Sequence, residues 1–134
     1  MRLRAATLLC LGFFLGVAAA SARAEYLQRT TAPDALAAAP DHYKLEFENE
    51  FVRVIRGKFG PHTQEVMHSH PEPGGVLVNL TDQNVRQTLP DGSTREIHYK
   101  VGETHWSPAG THRGENLDDR IMEFVRIEVK RLAR

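Results

Sequence analysis

Val85-Arg86-Gln87-Thr88-Leu89-Pro90-Asp91-Gly92-Ser93-Thr94-Arg95-Glu96-Ile97-His98-Tyr99 decides the fold class. Two extended runs, 85–89 and 94–99, flank Pro90-Asp91-Gly92-Ser93. Pro presets the first turn angle, Asp can bond its own backbone, and Gly tolerates the left-handed conformation, so the chain reverses there. Side chains alternate faces along a strand, so Ile97 and Tyr99 point inward while His98 points to solvent. Outward from this hairpin the same grammar repeats. Strands are expected at 43–48, 51–59, 65–70, 75–80, 104–107, 113–117 and 120–130, separated by Asn49-Glu50, Gly60-Pro61, Pro71, Gly102 and Pro108-Ala109-Gly110. About nine short strands without a helix of ordinary length argue for an all-β antiparallel sandwich or barrel.

At 134 residues the chain supports one domain. Basic and acidic residues number 17 each, so no charge excess points to nucleic acid. A charged share of 25% against 41% hydrophobic is globular composition, not disorder. One Cys excludes an internal disulfide framework. No repeat, phosphate-cradling glycine loop or serine elbow is found.

Residues 1–24 read as a secretory signal peptide: Arg2 and Arg4 precede an uncharged apolar run, and Ala22-Arg23-Ala24 offers a cleavage site. A membrane anchor would need roughly 20 apolar residues, more than this run supplies. A lipoprotein site at Cys10 lacks the small residue expected before it. With cleavage after Ala24, Arg2, Arg4, Arg23 and Cys10 leave, and 14 basic residues remain against 17 acidic ones. The exported chain then starts at Glu25, carries no thiol and suits an oxidising, periplasmic or extracellular compartment. It has no Cys nucleophile and no Cys metal ligand. Residues 25–42 form a lead-in in which Pro33 opens about one helical turn that Pro40 stops, packed outside the domain or mobile.

Histidine placement carries the chemistry. His68 and His70 are two apart on an expected strand, so both imidazoles face one way and can grip one transition metal. His112 follows the 108–110 turn, where an antiparallel barrel can bring it to the same interior. His42, His62 and His98 read as ordinary surface or hydrogen-bonded residues. Either His105 or Trp106 faces inward. No general base is named outright; Glu72 and His105 are the residues to mutate first.

His68-Ser69-His70-Pro71 resembles the first cupin motif. Residues 102–116 resemble the second, with Gly102, Pro108, Gly110, His112 and Asn116 in order and one residue, not two, between Gly110 and His112. The resemblance spans about 51–130 and implies a jelly-roll cupin β-barrel over 43–134. It implies a divalent transition metal (Fe, Mn, Ni, Co, Cu or Zn) on His68, His70 and His112. Cupins carry a glutamate ligand four or five residues after the second histidine; here Gly74 and Gly75 stand there, and Glu72 is the nearby substitute.

Three neutral imidazoles leave a divalent ion its full +2 charge and open positions, which suits anionic or chelating ligands. The resemblance implies a metal-dependent oxygenase, or a lyase or isomerase, on a small metabolite. The alternative is a non-catalytic periplasmic module that captures metal or a small ligand. A homodimer is a further implication of the resemblance; no nucleic-acid partner and no membrane anchor after cleavage are expected. Glu115 and Asn116 are candidates to orient the imidazoles. One of Arg53, Arg56, Arg113 and Arg126, pointing inward, could clasp a substrate carboxylate. Trp106 and Tyr99 read as core or pocket wall.

Overall fold

The computed structural model describes residues 32–131, so the signal-peptide reading of 1–24 and the first part of the lead-in lie outside the described residues. A single helical turn, α1 (Ala35–Ala38), comes first. Asp34 caps it by accepting from Leu36 N at 3.0 Å, with Pro33 one residue outside the turn. The turn packs onto the domain with one face inward and Ala37 exposed. Ala35 is fully buried and Ala39 joins the core, because small side chains let the turn sit close beneath the sheet.

Seven strands follow among the described residues: β1 (Tyr43–Glu48), β2 (Val52–Phe59), β3 (His68–Asn79), β4 (Gln83–Thr88), β5 (Thr94–Tyr99), β6 (Thr104–Asn116) and β7 (Met122–Val129). They pair antiparallel in the order β1-β2-β7-β3-β6-β4-β5, an all-β jelly roll. The β4–β5 hairpin closes through Pro90–Ser93, with Val85 opposite Ile97 and Thr88 opposite Thr94.

Nine expected strands become seven because two proline punctuations do not break their strands. The 65–70 and 75–80 runs join as β3. The extra residues Pro71, Glu72 and Pro73 are absorbed in a register shift between His70 and Gly74, opposite Ala109. The 104–107 and 113–117 runs join as β6 through Pro108 and Gly110. A bulge lets prolines, which cannot donate to a ladder, sit where no donor is needed.

Length gives β6 its role. Residues 104–112 pair with β3 and 113–116 with β4, so this one strand passes from one half of the jelly roll to the other. At one end of the interior, Ile55, Phe59, Met122 and Phe124 form the apolar core, with Phe59 and Phe124 stacked at 6.1 Å. Each such side chain contributes on the order of 1.5–3 kcal/mol by burial. At the other end the interior is polar.

Candidate metal centre

His68 and His70 lie on one face of β3, and register puts His112 of β6 directly opposite His68. The three rings meet with centroids 4.9 Å (68–70), 4.9 Å (68–112) and 5.1 Å (70–112) apart. One ring nitrogen from each falls within a 4.8 Å span. His70 stands opposite Gly110, whose lack of a side chain leaves the space between the strands open.

Hydrogen bonds fix which nitrogens face inward. His68 Nδ1 donates to the Val66 carbonyl at 2.9 Å, and His70 Nδ1 donates to Glu128 Oε1 at 2.9 Å. A neutral imidazole carries one proton, so both Nε2 atoms present lone pairs. These two atoms are 3.1 Å apart. Nitrogens each about 2.1 Å from a shared ion, separated by 3.1 Å, subtend about 95° at it. The donor set therefore fits a divalent transition metal.

Burial is the main reason both ends of the constellation stay unprotonated. It pushes His70 down to about 4, against the Glu128 hydrogen bond. Burial, followed by the neighbouring histidines, holds His112 well below the usual range. Metal-binding imidazoles must be neutral, and these are neutral at physiological pH.

The architecture is similar to that of a cupin domain protein from Bordetella pertussis Tohama I. That protein is 25% identical, with 75% of this chain and 98% of that chain covered at a TM-score of 0.62. The chain is a cupin. This cupin is also similar to a conserved protein with a double-stranded β-helix domain from Klebsiella pneumoniae, 18% identical over 64% of this chain and 73% of that one at a TM-score of 0.52. A cupin superfamily protein from Desulfitobacterium hafniense DCB-2 aligns at 10% identity over 66% and 76%, with a TM-score of 0.50. No family model and no curated protein matches the sequence.

The structure of this cupin explains its missing glutamate. Gly75 pairs with both β6 and β7, and a Cβ there would lie 2.1 Å from the Ile127 carbonyl oxygen. Gly74 has φ +104°, and its Cβ would meet Ser107 O at 2.7 Å. Neither position can carry a side chain. Glu72 does not join the three histidines: its carboxylate is exposed at the rim of the outer vestibule, 3.6 Å from Arg131.

Sequence reasoning missed Glu128, the residue directly across the ladder from Gly75. Its buried carboxylate accepts from His70, from Arg53 Nε at 2.7 Å and from Arg126 Nε at 3.1 Å. Burial raises its pKa, but the hydrogen bonds from His70 and Arg53 outweigh that and hold it at about 2. The signal was there to be read: β7 alternates Met122, Phe124, Arg126, Glu128 on one face, so the last two had to be inside with the first two.

The orienting candidates named from sequence do other work. Asn116 is fully buried but donates to the Gly60 and Arg120 carbonyls, and Glu115 pairs with Arg86. Glu115 lies on the face opposite His112, and Asn116, although on His112's face, is four residues along the strand, in the part paired with β4. Arg126 is the inward arginine, but its guanidinium is engaged with Glu128, Ser107 Oγ at 2.5 Å and the Ser107 and Pro108 carbonyls. It clamps β6 to β7 and leaves no free fork for a ligand. Arg53 bridges Glu128 and Asp34, and Arg56 pairs with Glu46 and Glu123 at the surface.

His105 is the inward member of its pair: it stacks on Tyr99 at 4.3 Å, whereas Trp106 is half exposed at the rim. An inner cavity of about 70 Å³ adjoins the histidines, walled by Leu77, Val85, Ile97, Met122 and Phe124. It meets an outer vestibule of about 420 Å³, with His105, Tyr99, Gln87, His70 and His112 lining both spaces. The His105 Nδ1 atom is buried without a partner. The other histidines hold ordinary places: His42 stacks on Phe59, His62 pairs with Asp119, and exposed His98 bonds Asn84.

Proposed function

We propose that this cupin is exported and is a metal-dependent enzyme, an oxygenase or a lyase or isomerase. Its substrate is a small anionic or chelating metabolite, and its ion, one of Fe, Mn, Ni, Co, Cu or Zn, is held by His68, His70 and His112. The observation that carries the reading is the pair of Nε2 lone pairs 3.1 Å apart, each fixed by a hydrogen bond on the far nitrogen. Carbonyl and carboxylate acceptors behind ligating imidazoles set tautomer, orientation and basicity.

When bound, the ion supplies Lewis acidity and a template for the substrate. The chain's own residues supply the rest. Glu128 and the Val66 carbonyl keep the imidazoles aimed. Leu77, Val85, Ile97, Met122 and Phe124 exclude water behind the centre. His105, kept neutral by burial, offers a proton acceptor at the junction of cavity and vestibule. The vestibule admits a small metabolite; the inner cavity admits only its reacting end.

Titration of the purified chain with each of the six metals, followed by elemental analysis, tests the centre. One equivalent in the wild type and a strong loss in His112→Ala are expected; no uptake of any metal overturns the reading. Oxygen uptake by the ferrous form across thiols, diketones and small acids tests the chemistry. Uptake that His105→Ala lowers supports an oxygenase. For export, the N-terminus recovered from the periplasm should be Glu25, and recovery of Met1 overturns it.

A further inference from the structure

Tyr43, at the start of β1, is buried where the apolar core meets the histidines. Its ring packs edge-on against His68 at 5.4 Å and Phe59 at 5.3 Å, so its direction is set by the core. Its hydroxyl donates to Glu65 Oε1 at 2.9 Å. Glu65 is itself buried and anchored, its other oxygen accepting from Gly114 N at 2.9 Å. The Tyr43 oxygen also lies 3.3 Å from His68 Nε2.

The phenol carries one proton, and Glu65 Oε1 is its shorter acceptor, 2.9 Å against 3.3 Å for His68 Nε2. His68 Nε2 has none, since its Nδ1 proton goes to Val66, and His70 Nε2 has none, since its Nδ1 proton goes to Glu128. The phenol oxygen and the His70 Nε2 atom thus lie 3.3 and 3.1 Å from His68 Nε2, and with the phenol proton on Glu65 their lone pairs are placed to share one cation. Two donors 3.3 Å apart and about 2.1 Å from one ion subtend about 104°, an ordinary angle between neighbouring ligands.

We propose that Tyr43 is the oxygen donor that completes this metal centre, in the place left by the glutamate that Gly74 and Gly75 cannot supply. The assignment rests on the three-histidine reading above. With a divalent ion bound, the Tyr43 O–H bond would break, its proton would pass to Glu65 Oε1, and the phenolate oxygen would donate to the ion, so that the ion with its ligands would carry +1 in place of +2. A carboxylate ligand would have had the same effect on charge; the donor comes from β1, not from β3.

The test is spectroscopic. The full chain is loaded with ferrous iron, oxidised in air and desalted, because a phenolate on ferric iron gives a charge-transfer band in the visible. The wild type should be coloured. Tyr43→Phe should keep its iron on the three histidines and lose the band, and Tyr99→Phe should keep both. Glu65→Gln should move the appearance of the band to higher pH, since a primary amide is a far weaker proton acceptor. Ring-deuterated tyrosine in a Tyr26→Phe, Tyr99→Phe background, where Tyr43 is the one tyrosine left, read by resonance Raman, covers the case of a Tyr43→Phe chain that does not fold: shifted ring modes support the assignment. Iron-loaded wild type without a band, or Tyr43→Phe with an undiminished one, overturns it and leaves the histidine centre standing. A wild type that takes up no metal overturns the histidine centre and the assignment together.

Discussion

Met122 and Phe124 at one end of β7, and Arg126 and Glu128 at the other, project from one face of one strand into the same interior. The first pair joins Ile55 and Phe59 in an apolar core. The second pair joins His70, Arg53 and Ser107 in a hydrogen-bonded charge network. Both halves are buried, yet they answer to different physics. Packing of the apolar half depends on volume and shape and is indifferent to pH. In the polar half, every charge must keep its partner, because an unpaired buried charge is expensive. The difference teaches that burial along one strand can serve stability in one half and aim the imidazoles of a candidate metal centre in the other.

Glu128→Ala should have the largest effect. It strips a buried partner from Arg126 and the acceptor from His70, which costs about 3–5 kcal/mol of stability and lowers metal affinity about 10–100-fold. Phe59→Ala should cost a similar 3–5 kcal/mol or so through its cavity while lowering the affinity of the folded chain far less than Glu128→Ala, since Phe59 meets the centre only through the Tyr43 ring. Urea unfolding paired with metal titration checks both; equal effects on affinity would erase the distinction between the halves.

Next comes pH, measured on chelator-treated protein. His70 titrates at about 4 when folded and about 6.5 when unfolded. Between those values the unfolded chain holds the extra proton, so stability falls as pH drops from about 6.5 to 4, by on the order of 3 kcal/mol. Glu128, at about 2 when folded against roughly 4.3 unfolded, contributes fully above that upper value, and its contribution is lost as pH falls towards 2. Phe59→Ala should lower the whole stability–pH curve without moving this window. A curve flat from pH 7 to 4 would count against the polar network.

Gly75→Ala should cost about 1–3 kcal/mol or more, because its Cβ meets β7 backbone that cannot step aside; thermal melts give the value. Arg86→Ala, at an exposed pair with Glu96 and Glu115, should leave the melting temperature nearly unchanged. A larger shift there would mean that the β4–β5 hairpin is coupled to the buried network.

Much of this was legible in the residues. The 85–99 hairpin, the outward His98, and His68 and His70 on one face follow from period-two alternation alone. The strand count came out too high because Pro71, Pro73 and Pro108 read as breaks, and only pairing on both flanks shows that β3 and β6 run through them. Glu72 drew attention by proximity in sequence, yet its carboxylate stands exposed at the rim of the outer vestibule. Tyr43 and Glu128 drew none, because each meets the histidines from another strand, 25 and 58 residues from the imidazole it touches; Glu65, in the stretch just before β3, drew none because no periodicity marks it as inward.

The sequence by itself determined the all-β class, the alternation of each strand and the donor chemistry of three imidazoles, since all of these depend on local periodicity and residue type. Tertiary structure alone decided which carboxylates and which phenol stand around those imidazoles. The reason is geometric: antiparallel register brings together residues that no spacing rule relates, and the close approach of β7 to Gly75 forbids the carboxylate that local sequence would have led one to expect.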